Sequence, residues 1–236
     1  MVNFEEALKK PFTDFGKLIL GIILSIVPIV NWIAQGFIIE SSGLGKNKPS
    51  KKMPEWKDLG DYFVKGLLSY IIIFVYAIPA IIVFVAAIGY SAVSLTTAFM
   101  GVMPEGFMSA MMVGNLPQGE IRQFFSQNWM LAMPTLMAVA PLIILGLVLL
   151  LAAVYLSPVA ILNYLKNKRF GKAFDFSFVT GKAFTVKYFI VWLIAGIIAL
   201  VLKAILAFIP FVGPAIAFFV SGIIVYTLYG QAFREK

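Results

Sequence analysis

The sequence predicts an all-α, polytopic helical membrane bundle with about six membrane segments in three hairpins and amphipathic interfacial helices on the cytoplasmic face. Three observations predict it. Of 236 residues, 61% are hydrophobic and only 13% charged, whereas a soluble domain is nearer half apolar and a quarter charged. Uncharged stretches cover 18–39, 66–104, 123–165, 188–202 and 204–233, and a helix needs roughly 20 apolar residues to cross a hydrocarbon core of about 30 Å. These runs do not alternate in the short segments of a membrane β-barrel.

The first element is a charged, aromatic-bearing stretch, 4–16, in which Glu5, Glu6 and Asp14 sit among Lys9 and Lys10. The apolar run behind it is too long for the core of a signal peptide, so it reads as part of the mature chain. Pro28 interrupts that run, and proline breaks a helix by removing a donor and clashing with the preceding turn. A hairpin is expected, with arms at 12–27 and 29–44. At 1.5 Å per residue each arm reaches only about 24 Å, so the tip is expected to be a buried turn. There Asn31 would bond backbone, and the tip would pack against the turn at 209–214.

The next segments are expected near 66–90 and 135–163, joined by an outer connection, 91–128. Glycines and prolines in that connection (Gly101, Pro104, Gly106, Gly114, Pro117, Gly119) predict a broken, partly embedded lid. The last hairpin is expected at 188–208 and 214–233, where Pro210, Gly213 and Pro214 stop the helix. The whole chain, 1–236, reads as a single integral membrane domain. A weak internal repeat accompanies this plan, because 4–16, 56–65 and 170–187 each place aromatics and lysines before an outgoing segment. Such stretches suit helices lying in the interface.

Orientation follows from the basic residues. With a hairpin at Pro28, every one of the 19 lysines and arginines except Arg122 and Lys203 falls on one side. Lysine and arginine in short loops stay cytoplasmic. The expected location is therefore the cell membrane, multi-pass, with both termini cytoplasmic.

The chain has no histidine and no cysteine, which removes imidazole bases, thiolates and nearly all zinc sites. No enzyme activity and no cofactor are expected. Eight methionines between Met100 and Met137 include helically spaced pairs that thioether chemistry would allow to bind Cu(I). A pliable apolar surface explains them better. Candidate polar groups within the membrane are Asn31, Gln35 and Lys203. Lys203 is expected to snorkel to the outer interface, and Asn31 and Gln35 to satisfy backbone near Pro28. Glu40 is expected to be neutralised by Lys17 or Lys46. Candidate contacts to anionic lipid headgroups are Lys46, Lys48, Lys51, Lys52 and Trp56, each cation contributing about 1 kcal/mol near a charged surface. The bilayer is the expected partner, and no nucleic-acid motif is present.

Several landmarks together resemble a known family: Phe4-Glu5-Glu6-Ala7-Leu8-Lys9-Lys10-Pro11-Phe12, the Val27-Pro28-Ile29-Val30 tip, Met53-Pro54-Glu55-Trp56, Gly66-Leu67, Tyr76-Ala77-Ile78-Pro79, and Tyr229-Gly230-Gln231-Ala232-Phe233-Arg234-Glu235. This pattern resembles the prokaryotic, largely archaeal family known as domain of unknown function 4013. The resemblance implies a multi-pass membrane protein and supplies no activity or catalytic residue. None of the landmarks that carry the resemblance falls in the 91–128 connection.

Two function classes follow. Sparse intramembrane charge and plentiful amphipathic stretches favour a non-enzymatic membrane-organising or assembly protein. Broken helices and proline-bearing spans favour a small transporter or channel.

Overall fold

The computed structural model describes residues 2–46 and 50–234. All its regular elements are helical: α1 (Phe4–Lys9), α2 (Phe15–Ile26), α3 (Asn31–Glu40), α4 (Leu59–Met100), α5 (Phe107–Met112), α6 (Gln118–Asn128), α7 (Met133–Asn167), α8 (Phe176–Ala183), α9 (Val186–Leu206) and α10 (Val212–Arg234), with short 3₁₀ turns between some of them. Local chemistry starts many of these helices. The side chains of Asn3, Asp14, Asp175 and Thr185 accept from the main-chain N–H three residues on, capping α1, α2, α8 and α9. Such caps satisfy donors that a helix start leaves without partners.

Four helical stretches among the described residues are long and apolar enough to cross a membrane: α4, the run Gln118–Asn167 containing α7, α9 and α10. The remaining two expected segments are short. Helix α2 has 12 residues and α3 has 10, so at 1.5 Å per residue neither reaches across alone. The chain does break where Pro28 predicts, since α2 ends at Ile26 and α3 begins at Asn31.

The chain divides into two compact units, one formed by 1–76 and 153–236, the other by 77–152. In the first, α10 is the axis. Most of its apolar window, 61%, is buried, against 11% for α9. Phe37 of α3 stacks on Trp56 at 3.9 Å between ring centres and faces Phe219 of α10 at 5.8 Å. Glycines let backbones meet around this stack. A methyl group on Gly21 would overlap the Phe219 ring, one on Gly230 the carbonyl of Ser42. The α3–α4 crossing is reciprocal: a methyl on Gly36 would overlap the carbonyl of Tyr62, and one on Gly66 the carbonyl of Trp32.

In the second unit, Ser94 and Thr135 share a hydroxyl hydrogen bond of 2.6 Å, and the Phe84 ring lies over Gly146. The helix through 66–90 continues to Met100, ten residues beyond expectation, with Pro79 inside it. No glycine or further proline interrupts 91–100, and the break comes at Gly101 and Pro104. The connection carries α5 and α6, held by a cluster of Phe99, Phe107, Phe124 and Phe125.

Candidate functional site

The first unit gathers its charges where α3 ends, α4 begins and α7 ends. Glu40, in the last turn of α3, is completely buried. A carboxylate at a helix C-terminus meets the negative end of the dipole, so it needs a cation. Lys65 supplies it, with Nζ 2.7 Å from Glu40 Oε2 and 2.6 Å from Asp61 Oδ2. This corrects the expected partner. Lys46 instead pairs with Asp58 at 2.9 Å and Asp61 at 3.2 Å, and Lys17 with Glu55 at 2.6 Å and Asp14 at 3.4 Å. Lys65 lies 25 residues from Glu40, and only the glycine-lined crossing of α3 and α4 brings them together. Hydrogen bonds to Asp58 and then to Asp61 hold the Lys46 ammonium above its ordinary pKa, and the same bond from Lys46 holds Asp58 below its own.

Two more cations close the end of α3. Lys10 Nζ donates to the carbonyl of Ser41 at 2.7 Å, and Arg234 donates to that of Ser42 at 2.8 Å. Both sites exploit carbonyls that a helix end leaves without partners. Burial, with a smaller push from Arg234, lowers Lys10 to about 8, opposed by the nearby charge of Glu6.

A cavity of about 170 Å³ opens beside this network, lined by Gly45, Lys46, Asp61, Lys65, Tyr164 and Lys168 among others. Gly45 is needed there, since a methyl on it would overlap the Glu40 carboxylate. A second charged surface follows α7. Lys166 and Lys182 lie over the Phe233 ring at 5.7 and 5.8 Å. Burial and then the like charges of Lys166 and Lys187 hold Lys182 below its ordinary pKa. Phe176, Phe184 and Val186 are exposed beside these lysines.

The residues singled out from sequence are dispersed. Gln35 is buried in α3. Asn31 bonds through its main chain, N–H to the carbonyl of Val27 at 2.9 Å. Its side-chain oxygen is buried with no hydrogen-bond partner among the described residues. The Asn31 side-chain oxygen therefore does not supply the expected cap, and only its main chain bonds at the tip. Lys203 is exposed in the last turn of α9. Neither proline tip is buried: Ile29 is 61% exposed and Phe211 91%. The expected packing of one tip on the other is replaced by exposure of both. Lys46, Lys51 and Lys52 are exposed. Lys48 lies outside the described residues. Trp56 is half-buried, its ring in the core stack and its Nε1 donating to the Lys17 carbonyl at 3.3 Å.

Sequence reasoning missed Lys65, Asp61, Tyr164 and Lys168 as a group. Lys65 ends the charged stretch at the start of α4, and its place one turn from Asp61 was the available signal.

An all-helical chain with four such long apolar helices fits a membrane protein. It belongs to the family described as Protein of unknown function (DUF4013), whose family model matches residues 19–211. No curated protein and no solved structure matches it.

Proposed function

We propose that this chain is a non-enzymatic protein of the cell membrane that organises its surroundings as a packed scaffold, with both termini and the charged end cytoplasmic. One observation carries the proposal: the interface between the α2–α3 hairpin and α10 is closed by direct glycine contacts at Gly21 and Gly230 and by the Phe37–Phe219 stack. Buried polar groups nearby are used internally, as Ser221 and Thr227 donate to main-chain carbonyls of α10 itself. Such an interior favours holding helices together over passing a solute.

In this reading the six segments cross or enter the bilayer as three pairs, and α2–α3 is a re-entrant hairpin too short to span alone. The stretches before α2 and α9 lie in the cytoplasmic interface, with exposed rings such as Phe12 and Phe184 in the acyl boundary. Lys46, Lys48, Lys51, Lys52 and Trp56 would meet anionic headgroups there.

A transporter or channel is the alternative, favoured by the buried Glu40–Lys65 pair, because an ionisable group enclosed in membrane helices is a candidate pathway element. Reconstituted vesicles discriminate the two. Stopped-flow assays with potassium salts, amino acids and a pH-sensitive dye are expected to show no protein-dependent flux. Giant vesicles with fluorescent phosphatidylglycerol are expected to show that lipid enriched around the labelled protein. Flux that Glu40→Gln abolishes would replace the scaffold with the transporter.

A further inference from the structure

We propose that the cavity beside α4 and α7 is a binding site for a phosphate group, whether from a lipid headgroup or from a free phosphate. It rests on the headgroup role above and deepens it to a defined site, which shares Lys46 with that surface and adds Lys65, Tyr164 and Lys168. Three segments contribute an ammonium: Lys46 from the loop after α3, Lys65 from α4, and Lys168 just past α7. An ammonium has three donors. Lys65 donates to Glu40 and is ion-paired with Asp61, and Lys46 donates to Asp58 and is ion-paired with Asp61, so neither ammonium has all three donors committed. Among the described ion pairs, none engages Lys168, and Tyr164, which carries a hydroxyl, is part of the lining.

The acids set the direction of this array. Glu40 and Asp58 are not part of the lining, so they hold Lys65 and Lys46 from outside the cavity. Among the described lining residues Asp61 is the single carboxylate, and both of its oxygens already face ammonium groups. A tetrahedral oxyanion would take the remaining donors, and charge-assisted hydrogen bonds to phosphate are the strong class. A cavity of about 170 Å³ has room for a phosphate group and not for a whole lipid, so acyl chains would lie outside. Lys168 has φ of 54°, in the left-handed region where glycine is usual after a helix. A lysine is held there against its backbone preference.

The test begins with the full chain in detergent, titrated with inorganic phosphate by calorimetry. Saturable binding is expected, weakened about tenfold by Lys168→Gln and by Tyr164→Phe, as loss of one charge-assisted or hydroxyl contact predicts. Lys172→Gln, on an exposed lysine outside the cavity, should leave it unchanged. Lys168→Gly guards against misfolding: it should melt higher than the parent while losing phosphate binding. Nanodiscs with and without phosphatidic acid identify the source. Competition between that lipid and phosphate assigns a headgroup, and phosphate binding indifferent to the lipid assigns a free anion. The role in membrane organisation can fail while this site stands, because the detergent titration contains no bilayer. Absence of saturable phosphate binding, or binding that Lys168→Gln and Tyr164→Phe leave intact, would overturn the site.

Discussion

Ile29 and Phe211 occupy the same position in two matching turns: each follows a proline, and each has a positive φ, 69° and 62°. The hydrogen bonding matches as well. The residue before each proline accepts from the N–H four residues on, Val27 from Asn31 at 2.9 Å and Ile209 from Gly213 at 3.0 Å. Helices α2–α3 and α9–α10 are therefore joined by one device used twice, each pair preceded by a short capped helix, α1 or α8. The tip sequences, Val-Pro-Ile-Val and Ile-Pro-Phe-Val, show how little of it depends on side-chain identity.

Left-handed backbone costs an L-residue about 1–2 kcal/mol, and a β-branched one is the clearer outlier. Since both side chains are exposed, little packing is lost on removing them. Ile29→Gly should raise the melting temperature in detergent, and by more than Phe211→Gly. A lower midpoint for Ile29→Gly would mean that its side chain anchors the tip.

The reciprocal crossing of α3 and α4 predicts the opposite response to small additions. Gly36→Ala and Gly66→Ala each drive a methyl into main-chain carbonyls that cannot swing away, so each should destabilise by about 3 kcal/mol, the upper end of overpacking costs. Gly89→Ala and Gly196→Ala, with open space around them, serve as controls. Size-exclusion profiles and melting curves of all four would reveal whether the crossing is as close as described.

The buried pair gives a cycle. Removing one partner strands a charge, so Glu40→Gln and Lys65→Met should each cost about 3–5 kcal/mol. Once Glu40 is already neutral, adding Lys65→Met should cost much less, with Asp61 still tied to Lys46. Additive losses, measured by denaturation of all four proteins, would argue against a direct Glu40–Lys65 interaction.

Lys10 ties stability to pH. Its folded value of about 8 lies below the ordinary 10.5, so between these limits the folded chain binds fewer protons than the unfolded one. Stability attributable to Lys10 therefore rises as pH climbs from about 8 towards 10.5, and its burial penalty is fully present below pH 8. Lys10→Met should flatten the melting temperature across that window, and an unchanged slope would assign the dependence to another group.

The sequence discloses breaks better than partners. Pro28 and the Pro210-Gly213-Pro214 group announce turns because proline acts on its own helix, whatever surrounds it. Glu40 gives no comparable sign of Lys65, since their meeting depends on where α4 crosses α3, which Gly36 and Gly66 decide. The length of α4 was hidden for a related reason: 91–100 is less apolar than 66–90, and a helix need not stop where its hydropathy falls. Tyr164 and Lys168 sit in an ordinary-looking helix end, and only the fold places them opposite Lys46.

Orientation is the last expectation, and the absence of cysteine makes it directly testable. Single cysteines at Ser50 and Gly171 report on the basic loops, and one at Asn115 reports on the connection between α5 and α6; all three positions are exposed. If lysine-rich loops stay cytoplasmic, an impermeant maleimide on intact cells should leave Ser50→Cys and Gly171→Cys unlabelled until the membrane is opened. Asn115→Cys should label from outside. The two loop positions discriminate more sharply than either alone, because they flank different helices. Were α2–α3 a single crossing in the membrane, the loop containing Ser50 would move to the outer side and the positions beyond it would invert with it. Labelling of Ser50→Cys on intact cells, with Asn115→Cys protected, would therefore overturn the re-entrant hairpin and the cytoplasmic assignment of the phosphate cavity together.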